Sequence, residues 1–165
     1  MQSAESLRQS IAYAVPRLLV VPQPDQPLAL EKWSPKEIVG HLIDSAANNY
    51  VRCIRAGDKG GLVFDGYDQD AWVSLGRYAD ARWPDLIELW RLYNEQFARV
   101  IDGLPDDVLD RPHVKHSLDR IAWRLVPANE PATLRYLIDD YIGHLHHHLR
   151  QIDRQLVAID AESAP

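Results

Sequence analysis

Cysteine is almost missing from this 165-residue chain: Cys53 stands alone, so no internal disulfide can form. Positive charge is short as well. The 18 lysines and arginines face 24 aspartates and glutamates, a net charge of −6, and no local run of basic residues offsets it. That balance excludes a nucleic-acid binder working by phosphate neutralisation. Nowhere do about 18 apolar residues follow one another, so no membrane span is expected. The opening stretch "MQSAESLRQSIAYAVPRLLVV" lacks the basic segment and apolar block of a secretory signal. A cytoplasmic protein with neither nucleic acid nor membrane as partner is the expectation. Other absences narrow the chemistry. There is no glycine-rich phosphate loop, no Ser-His-Asp arrangement, no paired metal-site glutamates of the di-iron kind and no internal repeat.

What is present reads as one helical domain spanning residues 1–165. Hydrophobic residues make up 46% and charged residues 25%, ordinary globular usage, and the length supports a real core. Strand-like alternation is scarce. A first helix is expected from Ala4 to Leu19, with Leu7, Ile11 and Leu18 recurring at helical spacing and Pro16 kinking or ending it. A proline-rich connection follows. "WSPKE" then announces a second helix: Ser34 as N-cap, Pro35 at the first helical position and Glu37 closing a capping box. It should run through Ile38, Leu42, Ala46 and Tyr50 and stop near Gly57. A third long helix should begin at Pro84 and end at Gly103, and a fourth should run from Thr133 to about Ile159 with Leu156 on its core side. Four amphipathic helices imply an all-α four-helix bundle. The links 57–83 and 105–131 are far longer than helix connections need, so they are long crossovers where pocket walls can be built. A short helix is expected around Asp68 to Leu75, while "HSLDRIAWRLV" reads equally as extended or helical.

The last helix carries "YIGHLHHHLRQI", residues 141–152, with four of the chain's seven histidines. Leucines at helical spacing run through the cluster, so it is not a purification tag. His144 and His148 are four residues apart and share a face, a common way to offer two imidazoles to one metal ion. His147 lies about 60° to one side, and His146 points nearly opposite, toward solvent. A third ligand is available in His41, which falls on the inner stripe of the second helix beside Ile38 and Leu42. Gly40 next to it permits a close approach. Three protein ligands would leave a coordination position open for water or substrate. From spacing alone, His41 is as well read as a hydrogen-bonded core histidine, and the pair as a surface coincidence.

Around these histidines, Ser45, Asn48 and Arg52 lie within about 40° of the direction of His41, and Asp140, Thr133 and Gln151 lie similarly close to His144. Arg52 and Asp140 could form a structural ion pair. Alternatively Arg52 and Asn48 hold a polar or anionic substrate group, and Asp140, or less directly Asp44, orients a ligating imidazole. Trp72, Trp83, Trp90 and Trp123 read as packing residues, and Tyr67, Asp68 and Trp72 as a pocket wall. Cys53 lies about 120° from His41 and His113 and His116 fall in a link, so none of the three is expected to be a ligand.

The motifs "WSPKEIVGHLIDSAANNYVR", "YDQDAW" and "LRYLIDDYIGHLHHHLRQI" together resemble the DinB superfamily, most closely its YfiT-like branch of metal-dependent hydrolases. The resemblance covers nearly the whole chain. It implies a bundle with long crossovers, a homodimer, and one divalent metal, zinc or nickel, on three histidines, which map to His41, His144 and His148. The superfamily also includes thiol-dependent transferases and isomerases. The resemblance therefore implies a small-molecule substrate and either hydrolysis or transfer with a low-molecular-weight thiol. The alternative is a non-catalytic, metal-stabilised stress-response module, and a bundle holding no metal is the third reading.

Overall fold

A computed structural model describes residues 2–162 apart from 28 and 30; the side chains of 154–162, including that of the expected core residue Leu156, fall outside the description. Four long helices are present: α1 (Gln2–Leu19), α2 (Pro35–Lys59), α4 (Trp83–Gly103) and α7 (Leu134–Glu162). Between them lie α3 (Gln69–Gly76), α5 (Asp106–Leu109) and α6 (Leu118–Ile121). The described residues form no strand, only two isolated bridges, Leu62 with His116 and His113 with Ala132. No described helix is long and apolar enough to cross a membrane.

The start of α2 follows its sequence closely. The Ser34 backbone amide donates to Glu37 Oε2 at 2.8 Å, and the Glu37 amide donates to Ser34 Oγ at 3.4 Å. Both orphan donors are thus satisfied at a helix end that is buried. Ser34→Ala should lower stability by about 1 kcal/mol, read as a shifted urea midpoint with an unchanged slope. One expected boundary moves, and the expected stop at Pro16 is absent. α2 passes Gly57 and ends at Lys59, with Gly60 at φ +72° as its cap. α1 continues through Pro16 to Leu19. So close to the helix end, the proline forfeits a single backbone bond, to the carbonyl of Ala12.

Contacts between side chains set the direction of each helix. Ser3 meets Asp139, Ser10 meets His146 and Arg17 meets Asp153, each pair separated by the same 136 residues. A constant offset means that α1 and α7 run parallel. α1 and α4 are antiparallel, since Arg8 pairs with Asp102 while the indole of Trp83 donates to the carbonyl of Leu18. α2 runs alongside α4, because Gly57 lies against Leu104 at one end and Gly40 against Tyr78, just ahead of α4, at the other. The bundle is therefore up, down, down, up, and α4 and α7 each pack against both α1 and α2. A link between the parallel helices α2 and α4 must travel the full length of the bundle. This explains the long crossover of residues 60–82.

That crossover returns through α3, capped by Asp68 accepting from the Ala71 amide at 3.0 Å, and a short turn that lays the Tyr78 ring on Gly40. A Cβ at position 40 would stand 2.1 Å from that ring. The second crossover, undecided from sequence, makes one turn of α6 and then becomes extended at Ala122. The core between the helices contains Trp90 and Phe97, both fully buried. Asn94 sits between them; its amide donates to the Trp90 carbonyl, and its oxygen accepts from the hydroxyl of Tyr141 across the bundle.

Candidate metal centre

α2 and α7 cross antiparallel and bring together His41, His144 and His148, each offering one ring nitrogen within 4.8 Å of the others. His144 Nε2 is 3.2 Å from His41 Nε2 and 3.0 Å from His148 Nε2. Hydrogen bonding cannot satisfy this arrangement. A ring nitrogen carries either one proton or one in-plane lone pair, so His144 Nε2 can serve one of its two neighbours. A cation at the common point would accept all three lone pairs. Nitrogens bound at ~2.0–2.1 Å to one tetrahedral ion lie roughly 3.3 Å apart, close to the two separations found.

The environment favours the ligating form of each ring. Burial, and then the neighbouring His148, pushes the pKa of His41 down to about 3. Burial followed by His148, His41 and His147 pushes that of His144 down to about 3. Burial also lowers that of His148. Neutral imidazole is what binds a metal. If Nε2 is the ligating atom, Nδ1 carries the proton, and His148 Nδ1 then donates to Gln151 Oε1 at 2.8 Å. His41 Nδ1 is buried without a partner among the described residues. Behind the cluster the Trp33 ring covers His41 at 5.0 Å and His148 at 6.4 Å between centroids.

His144 and His148 border a cavity of about 270 Å³, whose other walls include Ser45, Asn49, Arg52, Tyr67 and Trp123. His41, fully buried, lies behind them. The crossovers form two sides, with Trp123 seated on Gly143, 3.1 Å from where a Cβ would stand.

Several residues differ from their sequence-based roles. Asp140 borders the cavity but orients no imidazole and does not pair with Arg52. Its carboxylate accepts from the backbone amides of Trp123 at 2.7 Å and Arg124 at 2.8 Å, fastening the crossover to α7. Asp140→Ala should release that segment, with a loss of about 2 kcal/mol and faster hydrogen exchange at amides 123 and 124. Metal affinity should stay the same, which separates this role from that of an imidazole-orienting carboxylate. Asn48 is half-buried, outside the cavity walls, and donates to the carbonyl of Asp44 at 2.9 Å. Its neighbour Asn49 lines the cavity instead. Asp44 accepts from the Tyr78 hydroxyl at 2.6 Å.

His146 is half-buried rather than fully solvated; Ser10 Oγ meets its Nε2 at 2.7 Å because α1 occupies that face of α7. Trp83 and Trp90 pack in the core, whereas Trp72 is exposed and Trp123 walls the cavity. Cys53 is buried, and burial pushes its thiol up to about 12. His116 Nε2 meets the Glu130 carbonyl at 2.8 Å, and His113 forms a bridge with Ala132; neither joins the cluster. Sequence reasoning missed Trp33 as a cover and Gln151 as the partner of His148. The three-residue spacing of His148 and Gln151 was the available signal for the second.

Comparison with known proteins decides the family. The sequence model of the DinB superfamily matches residues 6–152. This chain belongs to the DinB superfamily. Among solved structures, the DinB chain is similar to YfiT from Bacillus subtilis, described as a probable metal-dependent hydrolase with an unusual four-helix bundle topology. The TM-score is 0.78 at 22% identity, covering 96% of this chain and 86% of that one, so the likeness is one of fold. No curated protein matches the sequence.

Proposed function

We propose that this DinB-superfamily chain is an enzyme holding one divalent transition metal, zinc or nickel, on His41, His144 and His148, and that it hydrolyses an ester or amide bond in a small molecule. One observation carries the reading: three Nε2 atoms converge where hydrogen bonding cannot satisfy them, and two of the rings border a cavity. When bound, such a cation acts as a Lewis acid and lowers the pKa of water or a small thiol. The protein supplies the surroundings. Gln151 holds the orientation of His148, Trp33 excludes water from behind, and Trp123 with Asp140 fixes the wall in front. The proposal includes a homodimer in the cytoplasm, in keeping with the family resemblance.

A second reading, thiol-dependent transfer, has its own support. Asp140 is the one carboxylate on the described cavity wall, and two backbone amides already occupy it. No wall carboxylate is left to take a proton from water. A thiol is intrinsically more acidic than water, so on the same cation it gives up its proton to bulk solvent more readily and depends less on a base in the wall.

The test is metal analysis of untagged protein, followed by assays of small esters and amides with and without low-molecular-weight thiols. Turnover that chelation abolishes and zinc or nickel restores supports an enzyme; strict thiol dependence selects the second reading. One metal per chain with no turnover on any substrate favours the stress-response module. A protein that binds neither ion sinks all three.

A further inference from the structure

Of the four buried charged side chains among the described residues, Lys36 alone has an ion-pair partner; Asp44, Arg52 and Asp140 rest on neutral groups. Lys36 pairs with Asp25 at 2.6 Å, Asp140 accepts two backbone amides and Asp44 accepts the Tyr78 hydroxyl. Arg52, 7% exposed, has no carboxylate partner among the described residues. Its Nη1 donates to Asn49 Oδ1 at 3.3 Å and its Nη2 to the backbone carbonyl of Asp65 at 2.9 Å. These neutral acceptors fix the guanidinium in place but leave its charge uncompensated. Among the described residues two of its five donors are engaged, which leaves three. A buried cation kept without a counter-charge is unfavourable unless something anionic completes it.

The location of Arg52 shows what that anion is part of. Arg52 borders the same cavity as His144 and His148, and exposed Arg120 stands on its rim. Arg120 pairs with Asp119 at 3.7 Å and the Asp140 carboxylate holds two backbone amides, so Arg52 is the wall cation left without an ion pair among the described residues. We propose that Arg52 is the anchor for a carboxylate on the substrate. The ligand is then an elongated acid, with its carboxylate on the guanidinium and its reacting bond beside His144 and His148. This rests on the metal-site reading above.

Helix geometry sets the minimum length. Arg52 and His41 are eleven residues apart on α2, about 16 Å along the axis; both side chains lean toward the N-terminus, and only the greater length of the arginine narrows that gap. An acid of one or two carbons cannot span it. A carboxylate also suits the three remaining donors better than a phosphate dianion, whose oxygens would demand more.

The test uses the zinc-loaded protein and two matched probes: glutaramate, with one free carboxylate, and glutaramide, with none. Calorimetric titration of wild type should show glutaramate binding at least about tenfold more tightly, the worth of a charge-assisted contact. Arg52→Gln should erase the preference while retaining zinc. Arg52→Lys, which keeps the charge without the planar fork, should retain part of it. Probes within twofold of each other on wild type, no glutaramate binding at all, or an undiminished preference in Arg52→Gln each overturn the proposal. The wild-type comparison stands even if a variant fails to fold. Zinc retained with no preference sinks this inference and leaves the metal reading intact; a preference kept by a protein that cannot hold zinc does the reverse.

Discussion

His144→Ala should lower affinity for zinc or nickel by more than about a hundredfold, beyond the loss typical of an imidazole's hydrogen-bond partner. His144 is the hinge of the cluster: its Nε2 lies within 3.2 Å of both other ring nitrogens. Without it His41 and His148 remain on different helices, with no third donor among the described residues to complete the set. Competition with a chromophoric chelator gives the number directly. Alanine is a good helix former and the position is half-buried, so α7 should keep its far-ultraviolet dichroism. A variant that binds metal like wild type would mean that the cation sits elsewhere. One that also unfolds would mean that the three rings hold the bundle together.

The second large effect concerns the core. Phe97→Ala should destabilise the protein by about 3–5 kcal/mol, measured by chemical denaturation. Phe97 is fully buried on α4 and its ring packs on Tyr141 of α7, 5.2 Å between centroids. Tyr141 is in turn fixed by Asn94 and borders the cavity one turn before His144. The cavity left by the missing ring would let Tyr141 shift, so weaker metal binding should accompany the lost stability. A loss below about 1 kcal/mol would show that neighbouring side chains collapse into the space.

Much of this was legible in the sequence because it is local. The capping box at Ser34 needs four residues to be recognised. The stripes of α1, α2, α4 and α7 need about four turns each, and the likeness to DinB proteins rests on short runs of sequence. The facing of His41 and of the pair on α7 followed from helical period alone; their meeting did not, because period says nothing of which helix packs on which. The errors share a cause. Helical period alone predicts a solvated His146, because nothing in the sequence indicates that α1 runs parallel to α7 and covers it. The same period directs Asp140 toward the histidines, because the backbone amides it holds belong to a crossover that local pattern does not decide. Asn48 points within about 20° of His41 down the axis, closer than Asn49, yet the cavity lies off to the other side.

The parallel pairing of α1 and α7 bears on how the chain is made. The three polar contacts along that seam each join residues 136 positions apart, so the loop to be closed is nearly the whole polypeptide. During synthesis α1 emerges first and must wait beside α4 with one flank open until α7 leaves the ribosome. The centre on His41 waits equally, because both of its partners arrive in that final helix. A nascent chain arrested before His144 should therefore capture no cation, and assembly of the last flank should be the slow step of refolding.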